Sequence, residues 1–314
     1  MKVAVIGASG YLGGLIVRHV GADPNVESIL GLDIVHPKSL APKMTFQEAD
    51  VRCADFARLL AGVDVVYHLA FIVEPPKKLS MRDIDQINIE GSRRIFEGAI
   101  SAGVPKIIYA SSVAAYGAHP DNPVPLREGS LLRPNNDWYY SRTKGAVEDI
   151  LNTLQRHSPS TIIIRYRPSI FLGPGINNTV GKGLSGKTLY CFPEDPKIDL
   201  CWDEDVAEAF RLGLGYQRSD IFNLAGKGPM TTREMGVLMG KRVVVLRPWV
   251  FFPICRLAAR LGMIPQGVPG WAGCLMRYPV LVSARRAEER LGWRPRHDAA
   301  QTLLRFMQGM APGN

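Results

Sequence analysis

Tyr140 and Lys144 lie four residues apart in YYSRTKGAVEDIL, where Ala146, Val147, Ile150 and Leu151 recur at helical spacing. One face of a helix would carry both side chains. A phenol has an unperturbed pKa near ~10, too high for ready proton exchange at neutral pH, and an ammonium beside it lowers that value. The pair is therefore expected to pass a proton to and from a substrate oxygen, with Lys144 tuning Tyr140. Such pairs are common on helix surfaces, so a third group decides the matter. Ser112, in SSVAAYG, follows the apolar run KIIYA and would sit just past the C-terminal end of a strand, where its hydroxyl can hold a reacting oxygen. Ser111 is one residue away and could share the role; the alternative is that both serines cap a turn.

Proton transfer at an alcohol or ketone needs a hydride partner, and the chain opens on a segment suited to one. Directly after the apolar run at Val3–Ile6 comes Gly7-Ala8-Ser9-Gly10-Tyr11-Leu12-Gly13. Gly7 allows a tight turn, Gly10 lets backbone approach a pyrophosphate, and Gly13 lets a helix pack closely on a strand. The N–H groups of that helix's first turn, around Ser9, Tyr11 and Leu12, face the phosphates. Asp33 falls about twenty residues beyond Gly13 at the end of the second apolar run, where a carboxylate binds both adenosine ribose hydroxyls and repels a 2'-phosphate. Ile34 and Val35 supply no arginine to reverse that choice, so NAD is expected rather than NADP. The plain alternative for Asp33 is a turn residue.

These groups require a scaffold, and its pattern is regular. Short runs rich in Val and Ile (Val3 to Ile6, Ser28 to Asp33, Val63 to Ala70, Lys106 to Ser111, Thr161 to Arg165) alternate with helical stretches such as Met81 to Ala102, whose Ile84, Ile87, Ile95 and Ile100 return every three or four residues. The alternation predicts a Rossmann-type, doubly wound, parallel α/β sheet. After Arg165 glycine and proline crowd together. Residues 1–173 are expected to form the dinucleotide-binding domain, with 203–228 returning to it. Residues 174–202 and 229–314 are expected to form a smaller, interleaved substrate lobe over the C-terminal ends of the strands.

The 314-residue chain carries a formal charge of +9, and residues 241–314 account for all of it, with twelve Lys or Arg against Glu288, Glu289 and Asp298. A basic C-terminal region attracts anions, unless it is simply a solvated arginine-rich face. No metal-ligand spacing and no aromatic-basic pattern of an RNA-binding sheet occurs, so neither a metal nor nucleic acid is expected. Five cysteines, none in a CxxC pair and all in apolar surroundings, suit reduced buried thiols and a cytoplasmic setting. The start MKVAVIGASG is too soon broken by glycine for a signal peptide. The segment VVVLRPWVFFPICRLAARLGMIP sets Trp249, Phe251, Phe252, Ile254, Leu257 and Leu261 beside Arg256 and Arg260. Too interrupted to span a membrane, it suits a peripheral membrane contact, a lipid-like substrate, or packing of the small lobe.

GASGYLGG, Asp33, HLAF at His68 to Phe71, INIEG with Asn88, SSVAAYG, Tyr140 with Lys144, RPSIFLGPG at Arg167 to Gly175, DEDVAEA and ERLGWRPR together resemble the extended short-chain dehydrogenase/reductase family nearly end to end. Its members include nucleotide-sugar epimerases and dehydratases and 3β-hydroxysteroid dehydrogenases. The resemblance implies that Tyr140 is the catalytic acid or base, that Lys144 binds the nicotinamide ribose, and that Ser112 positions the reacting oxygen. It further implies adenine contacts at Asp50 and Val51, cofactor-lining positions at Leu69, Ala70 and Asn88, a nicotinamide neighbourhood at Pro168 and Ser169, and a homodimer paired through helices that include the Tyr140 segment. The family's dehydratases have acidic or acid-assisting residues after the Ser or Thr; here Val113, Ala114 and Ala115 stand there, so elimination is not expected. The arginine that often grips a nucleotide diphosphate in the family falls on Ile198, with Lys197 one residue early. The sequence therefore leads to hydride transfer between NAD(H) and a bulky or apolar secondary alcohol or ketone. A nucleotide-sugar 4-epimerase is the alternative, and a non-catalytic NAD sensor a third reading.

Overall fold

The computed structural model describes residues 1–76, 78–264 and 268–310; Pro265, at the end of the apolar segment singled out above, and residues 311–314 of the expected small lobe lie outside them. Its strands are β1 (Lys2–Ile6), β2 (Ser28–Asp33), β3 (Met44–Glu48), β4 (Val65–His68), β5 (Lys106–Ala110), β6 (Ile162–Pro168), β7 (Ile170–Leu172), β8 (Thr188–Cys191), β9 (Leu200–Trp202), β10 (Asp220–Leu224) and β11 (Arg242–Val245). Seven form one parallel sheet in the order β10-β6-β5-β4-β1-β2-β3. This is the Rossmann arrangement that the alternation of apolar runs predicts, extended by one strand.

The central strands are apolar on both faces because both faces are covered. Val3 and Val5 of β1 enter the core beneath the helix Tyr11–Gly21, whereas Ala4 and Ile6, pointing the other way, pack with Ile95, Phe96, Val147 and Leu151. Strand β3 was not foreseen. It is an edge strand, MTFQE, with only Met44 buried, so it lacks the continuous apolar run that marks its neighbours. The expected helix over 81–102 is interrupted: α-helical turns at Met81–Asp85 and Gly91–Ser101 flank a π-helical segment, Gln86–Glu90, that holds Asn88. Four cysteines are buried as expected, but Cys53 is exposed, because its loop follows β3 at the edge of the sheet; all five are free.

Strands β7 with β9 and β8 with β11 make two small parallel pairs, packed with Met235, Met239, Leu303 and Phe306. The ERLGWRPR segment folds back on the helix Asp203–Leu212. Trp293, fully buried, donates its indole N–H to the Asp205 carbonyl at 2.7 Å, and the Asp205 carboxylate accepts from the Arg296 backbone N–H (3.0 Å), the Arg296 Nε (2.9 Å) and the His297 backbone N–H (3.2 Å).

Chain order reverses at β1, which has β2 on one side and β4 on the other, so a crevice opens beyond their C-terminal ends. Gly7 lies there with φ +90°, and a Cβ on it would meet the Ala70 nitrogen at 2.5 Å. A Cβ on Gly13 would fall 2.0 Å from the Gly7 carbonyl oxygen, backbone against backbone. Gly14, one residue on, faces open space. Gly13→Ala is therefore expected to cost about 1–3 kcal/mol or more by forcing helix from strand, and Gly14→Ala to gain about 0.5–1 kcal/mol from helix propensity. Urea unfolding of the two variants beside the parent checks both signs.

Candidate active site

The crevice is lined by the loop after β1. Gly7 N–H donates to the Leu32 carbonyl at 2.8 Å and Gly10 N–H to the Gly7 carbonyl at 3.2 Å, which closes the turn before the helix starts at Tyr11. That helix has no side-chain cap and no acidic residue in its first turn, so its N-terminal dipole is left for an anion. Gly10 has an ordinary φ of −71°, and the nearest atom to an added Cβ is 3.3 Å away. The protein itself makes only a mild demand for glycine there, which fits a phosphate passing over it.

Asp33 ends β2 beside this loop. One carboxylate oxygen accepts from Ser9 N–H (3.0 Å), the other from Ile34 N–H (2.8 Å) and Val35 N–H (3.3 Å). The Ser9 hydroxyl donates to the Val35 carbonyl, so Ser9 ties the glycine loop to the end of β2. Leu69 and Ala70 follow β4, and both backbone N–H groups donate to the Ile6 carbonyl. Buried Asn88 clasps the next stretch, its amide accepting from Ile72 N–H (2.8 Å) and donating to the Ile72 carbonyl (3.0 Å). Asn88 thus shapes the crevice through Ile72. Val51 packs against Gly91, while Asp50 is paired with Arg52, whose guanidinium holds the carboxyl below its usual range. The Tyr11 hydroxyl is bound to Asp203 on another helix, so its side chain joins elements, leaving its backbone N–H to the helix end. His68 is buried, with Nε2 2.7 Å from the Ser92 hydroxyl; burial drops its pKa to about 3, so it is neutral and structural.

Ser112, Tyr140 and Lys144 converge from two elements. Ser112 caps the 3-10 turn Val113–Tyr116, accepting from Ala114 N–H at 3.1 Å, and its side chain also hydrogen-bonds Tyr140. The capping alternative is thus present, and it leaves the side chain facing Tyr140. Ser111 cannot share the role, because its hydroxyl donates to Glu148 at 2.6 Å. Tyr140 and Lys144 lie on one face of the helix Tyr139–His157. The expected depression of the Tyr140 pKa by Lys144 is not found: burial pushes it up to about 12, and only the Ser112 bond pulls it back. Lys144 Nζ is drawn elsewhere. It donates to the Ala110 carbonyl (2.7 Å) and the Tyr109 hydroxyl (3.3 Å) and lies 3.5 Å over the Phe71 ring, against 5.6 Å from the Tyr140 ring centre. Burial also lowers the Lys144 pKa, with Glu148 opposing. At the far side, Pro168 ends β6, and Ser169, anchored through its N–H to the Leu224 carbonyl, has a buried hydroxyl with no partner among the described residues.

Three sets of residues escaped the sequence reading. Glu148, one helical turn beyond Lys144, is fully buried; its carboxylate receives Arg167 Nε (2.8 Å) and Nη2 (2.9 Å), Arg165 Nη1 (3.0 Å) and the Ser111 hydroxyl. Its spacing of four from Lys144 was the available signal. Phe71 lies under Lys144 and edge-on to Tyr140. Trp138, Trp271, Leu275 and Tyr278 gather with Tyr140 into one apolar cluster. Ile198 sits in the small-lobe core with its backbone paired to Met230, so the place of the family's arginine is apolar here, while Lys197 is exposed.

The model of the NAD-dependent epimerase/dehydratase family matches residues 3–225. The chain belongs to that family. Two UDP-glucose 4-epimerases, from Lactobacillus helveticus and Mycolicibacterium smegmatis, are 25% and 26% identical to it, covering 97% and 98% of this chain and 95% and 98% of their own. An uncharacterized Mycobacterium tuberculosis protein is 23% identical over 86% of this chain and 68% of its own length. Among solved structures, a dTDP-glucose 4,6-dehydratase from Streptomyces venezuelae with NAD bound superposes with a TM-score of 0.77 (21% identity; 98% of this chain, 96% of that one). A UDP-glucuronic acid 4-epimerase from Bacillus cereus in complex with NAD gives 0.76 (16% identity; 99% and 100%). The protein is thus an NAD-dependent enzyme of the extended short-chain dehydrogenase/reductase type. Its residues fit the cofactor: the uncapped helix end and Gly10 suit the pyrophosphate, Asp33 the adenosine ribose, and the unpartnered Ser169 hydroxyl a polar group at the nicotinamide end.

Two arginines hold the Glu148 carboxyl at about 2, against 4.5 for a free glutamate. Because the folded-state value is the lower one, the stabilisation is complete above 4.5 and disappears as pH falls toward 2. Glu148→Gln, which strands both guanidinium groups, is expected to lose about 3–5 kcal/mol at neutral pH, and the gap to the parent should narrow across that acid window. Denaturant unfolding of both proteins over the pH range reads the narrowing.

Proposed function

We propose that the protein is a 4-epimerase acting on a nucleotide sugar with NAD retained in the site. The observation that carries this reading is the meeting of Ser112 and Tyr140 beside Lys144 at the crevice, with Val113, Ala114 and Ala115 buried immediately after Ser112. None of those three can exchange a proton, so at that position the site has a single acid–base group and no second one for elimination. The full-length likeness to UDP-glucose 4-epimerases supports the same choice over the apolar-alcohol reading that the sequence alone favoured. Residues 174–202 and 229–314 form the substrate lobe in this proposal. A homodimer pairs through the Tyr139–His157 helix, and sedimentation of the pure protein tests it.

The chemistry follows from where the groups stand. NAD, when bound, supplies reversible hydride acceptance at the nicotinamide. Tyr140 takes the proton of the substrate hydroxyl as the carbon–hydrogen bond breaks, and Ser112 holds the same oxygen through the change from alcohol to ketone. The raised pKa of Tyr140 makes it a strong base once ionised and a reluctant acid otherwise. A charged group that enters beside it therefore shifts its proton more than one in water would. Lys144 Nζ, fixed by Ala110, Tyr109 and Phe71, is placed to donate to a ribose hydroxyl of the cofactor without competing for the substrate oxygen. The ketone then turns over in the site, its oxygen takes the proton back from Tyr140, and its carbon would regain the hydride on the opposite face, so that no net oxidant or reductant is consumed.

Net oxidoreduction of an apolar alcohol stays as a second reading because of the wall of Trp138, Trp271, Leu275 and Tyr278 around Tyr140, and because the clamp position is Ile198. Incubation with NAD and UDP-sugars should interconvert the sugars without net NADH. NADH accumulating with a hydrophobic alcohol, and no sugar turnover, would sink the epimerase reading. Under either, Tyr140→Phe should lower turnover about 10²–10⁴-fold while NAD binding, followed by calorimetry, is kept.

A further inference from the structure

The helix Pro248–Arg260 has two apolar faces. Phe251, Phe252, Cys255 and Ala259 turn inward, where Phe251 and Phe252 pack on the buried Phe192 ring at 5.3 and 5.6 Å. Val250, Ile254, Leu257 and Leu261, spaced by four, three and four, form the opposite stripe, flanked by Trp249. Among the described residues this stripe has no cover: Trp249, Ile254, Leu257, Leu261 and neighbouring Met263 are between 58% and 75% exposed. An apolar helix belongs in a core, and one facing water on a wide stripe marks a contact surface.

The charge around it states what the contact is with. From Met235 to Ala287 the chain has no Asp or Glu, and eight Lys or Arg. Arg247, Arg256 and Arg260 are exposed on the helix itself or at its start, and Arg242 lies exposed in β11 just before it. A second copy of the chain meeting this face isologously would set the exposed Arg247, Arg256 and Arg260 against themselves, with no carboxylate on the helix to pair them. Nucleic acid would leave the aliphatic stripe unburied. A bilayer with anionic headgroups satisfies both parts, since the side chains enter the acyl boundary while the guanidinium groups reach the phosphates. No helix among the described residues is long and apolar enough to cross a membrane.

We propose that the Pro248–Arg260 helix lies in the surface of an anionic lipid bilayer, apolar stripe inward, and holds the enzyme there. Its partner helix, Val268–Leu275, connects that surface to the catalytic face: Gly273 packs against Phe252, Trp271 and Leu275 join the cluster around Tyr140, and Gly270 is pressed so closely on the Asp137 backbone that a Cβ would meet its carbonyl oxygen at 1.9 Å. The docked face and the start of the Tyr139–His157 helix are thus separated by one layer of helix.

The test is flotation of the full chain with vesicles of phosphatidylcholine containing phosphatidylglycerol, against phosphatidylcholine alone. The protein should float only with the anionic vesicles and be released by raised salt. Ile254→Ser, Leu257→Ser and Leu261→Ser should each weaken partitioning about tenfold, and Arg256→Gln and Arg260→Gln about fivefold each. All five side chains are exposed, so thermal unfolding should be unchanged; should a serine variant misfold, the two arginine variants carry the test through the lipid-charge and salt dependence. Absence of flotation with anionic vesicles overturns the proposal, as does flotation untouched by these variants. It is equally overturned if the parent is a dimer that ignores vesicles and the serine variants are monomers. These readouts are binding and mass, so they stand or fall apart from the sugar reaction.

Discussion

One buried carboxylate holds the working end of this protein together. Glu148 receives two guanidinium groups from β6 and a hydroxyl from the residue after β5, so the Tyr139–His157 helix, the two strands behind it and the start of the Ser112 turn are fixed to a single point. Arg167 then donates to the Tyr116 hydroxyl, which donates in turn to Asn223 of β10. Burying an unpaired charge is strongly unfavourable, and here the carboxylate and both guanidinium groups meet an opposite charge at 2.8–3.0 Å. Such a network tolerates few other arrangements of the helix, which is what a site needs when its reacting groups must be aligned to a fraction of an ångström.

The position of Lys144 follows from the same point. With Glu148 a turn away and Phe71, Tyr109 and Ala110 around it, the amino group is held by a face, a hydroxyl and a carbonyl, and none of these belongs to Tyr140. Tyr140 is left among aromatic and aliphatic neighbours with a hydrogen bond from the Ser112 side as its relief. Sequence spacing put tyrosine and lysine on one face correctly, yet spacing says nothing about which of several neighbours a long side chain chooses.

What could be read in advance was whatever backbone geometry or burial on both sides imposes on residue types. Gly7 and Gly13 are visible because a side chain would strike main-chain atoms; the central strands are visible because helices cover both faces and leave no polar positions. Strand β3 escaped because an edge strand keeps polar residues, and the Glu148 network escaped because Ser111 and Arg167 lie 37 residues before and 19 after the carboxylate. Cys53 was misjudged from apolar letters nearby in sequence that are not nearby in space. The exposed stripe on the Pro248–Arg260 helix was legible as amphipathic and basic, but periodicity cannot tell a covered face from a bare one.

The capture of the C-terminal segment by Asp205 bears on how the chain comes into being. The helix Asp203–Leu212 covers the sheet between Tyr67, whose hydroxyl donates to the Phe210 carbonyl, and Trp293, which arrives 88 residues after Asp205. While the protein is being synthesised, the sheet up to β10 can emerge from the ribosome before Trp293, Arg296 and His297 exist to close over it. The nascent chain therefore has a stage in which that helix can dock on one side only, and arrival of the later segment, rather than formation of the sheet, closes over it.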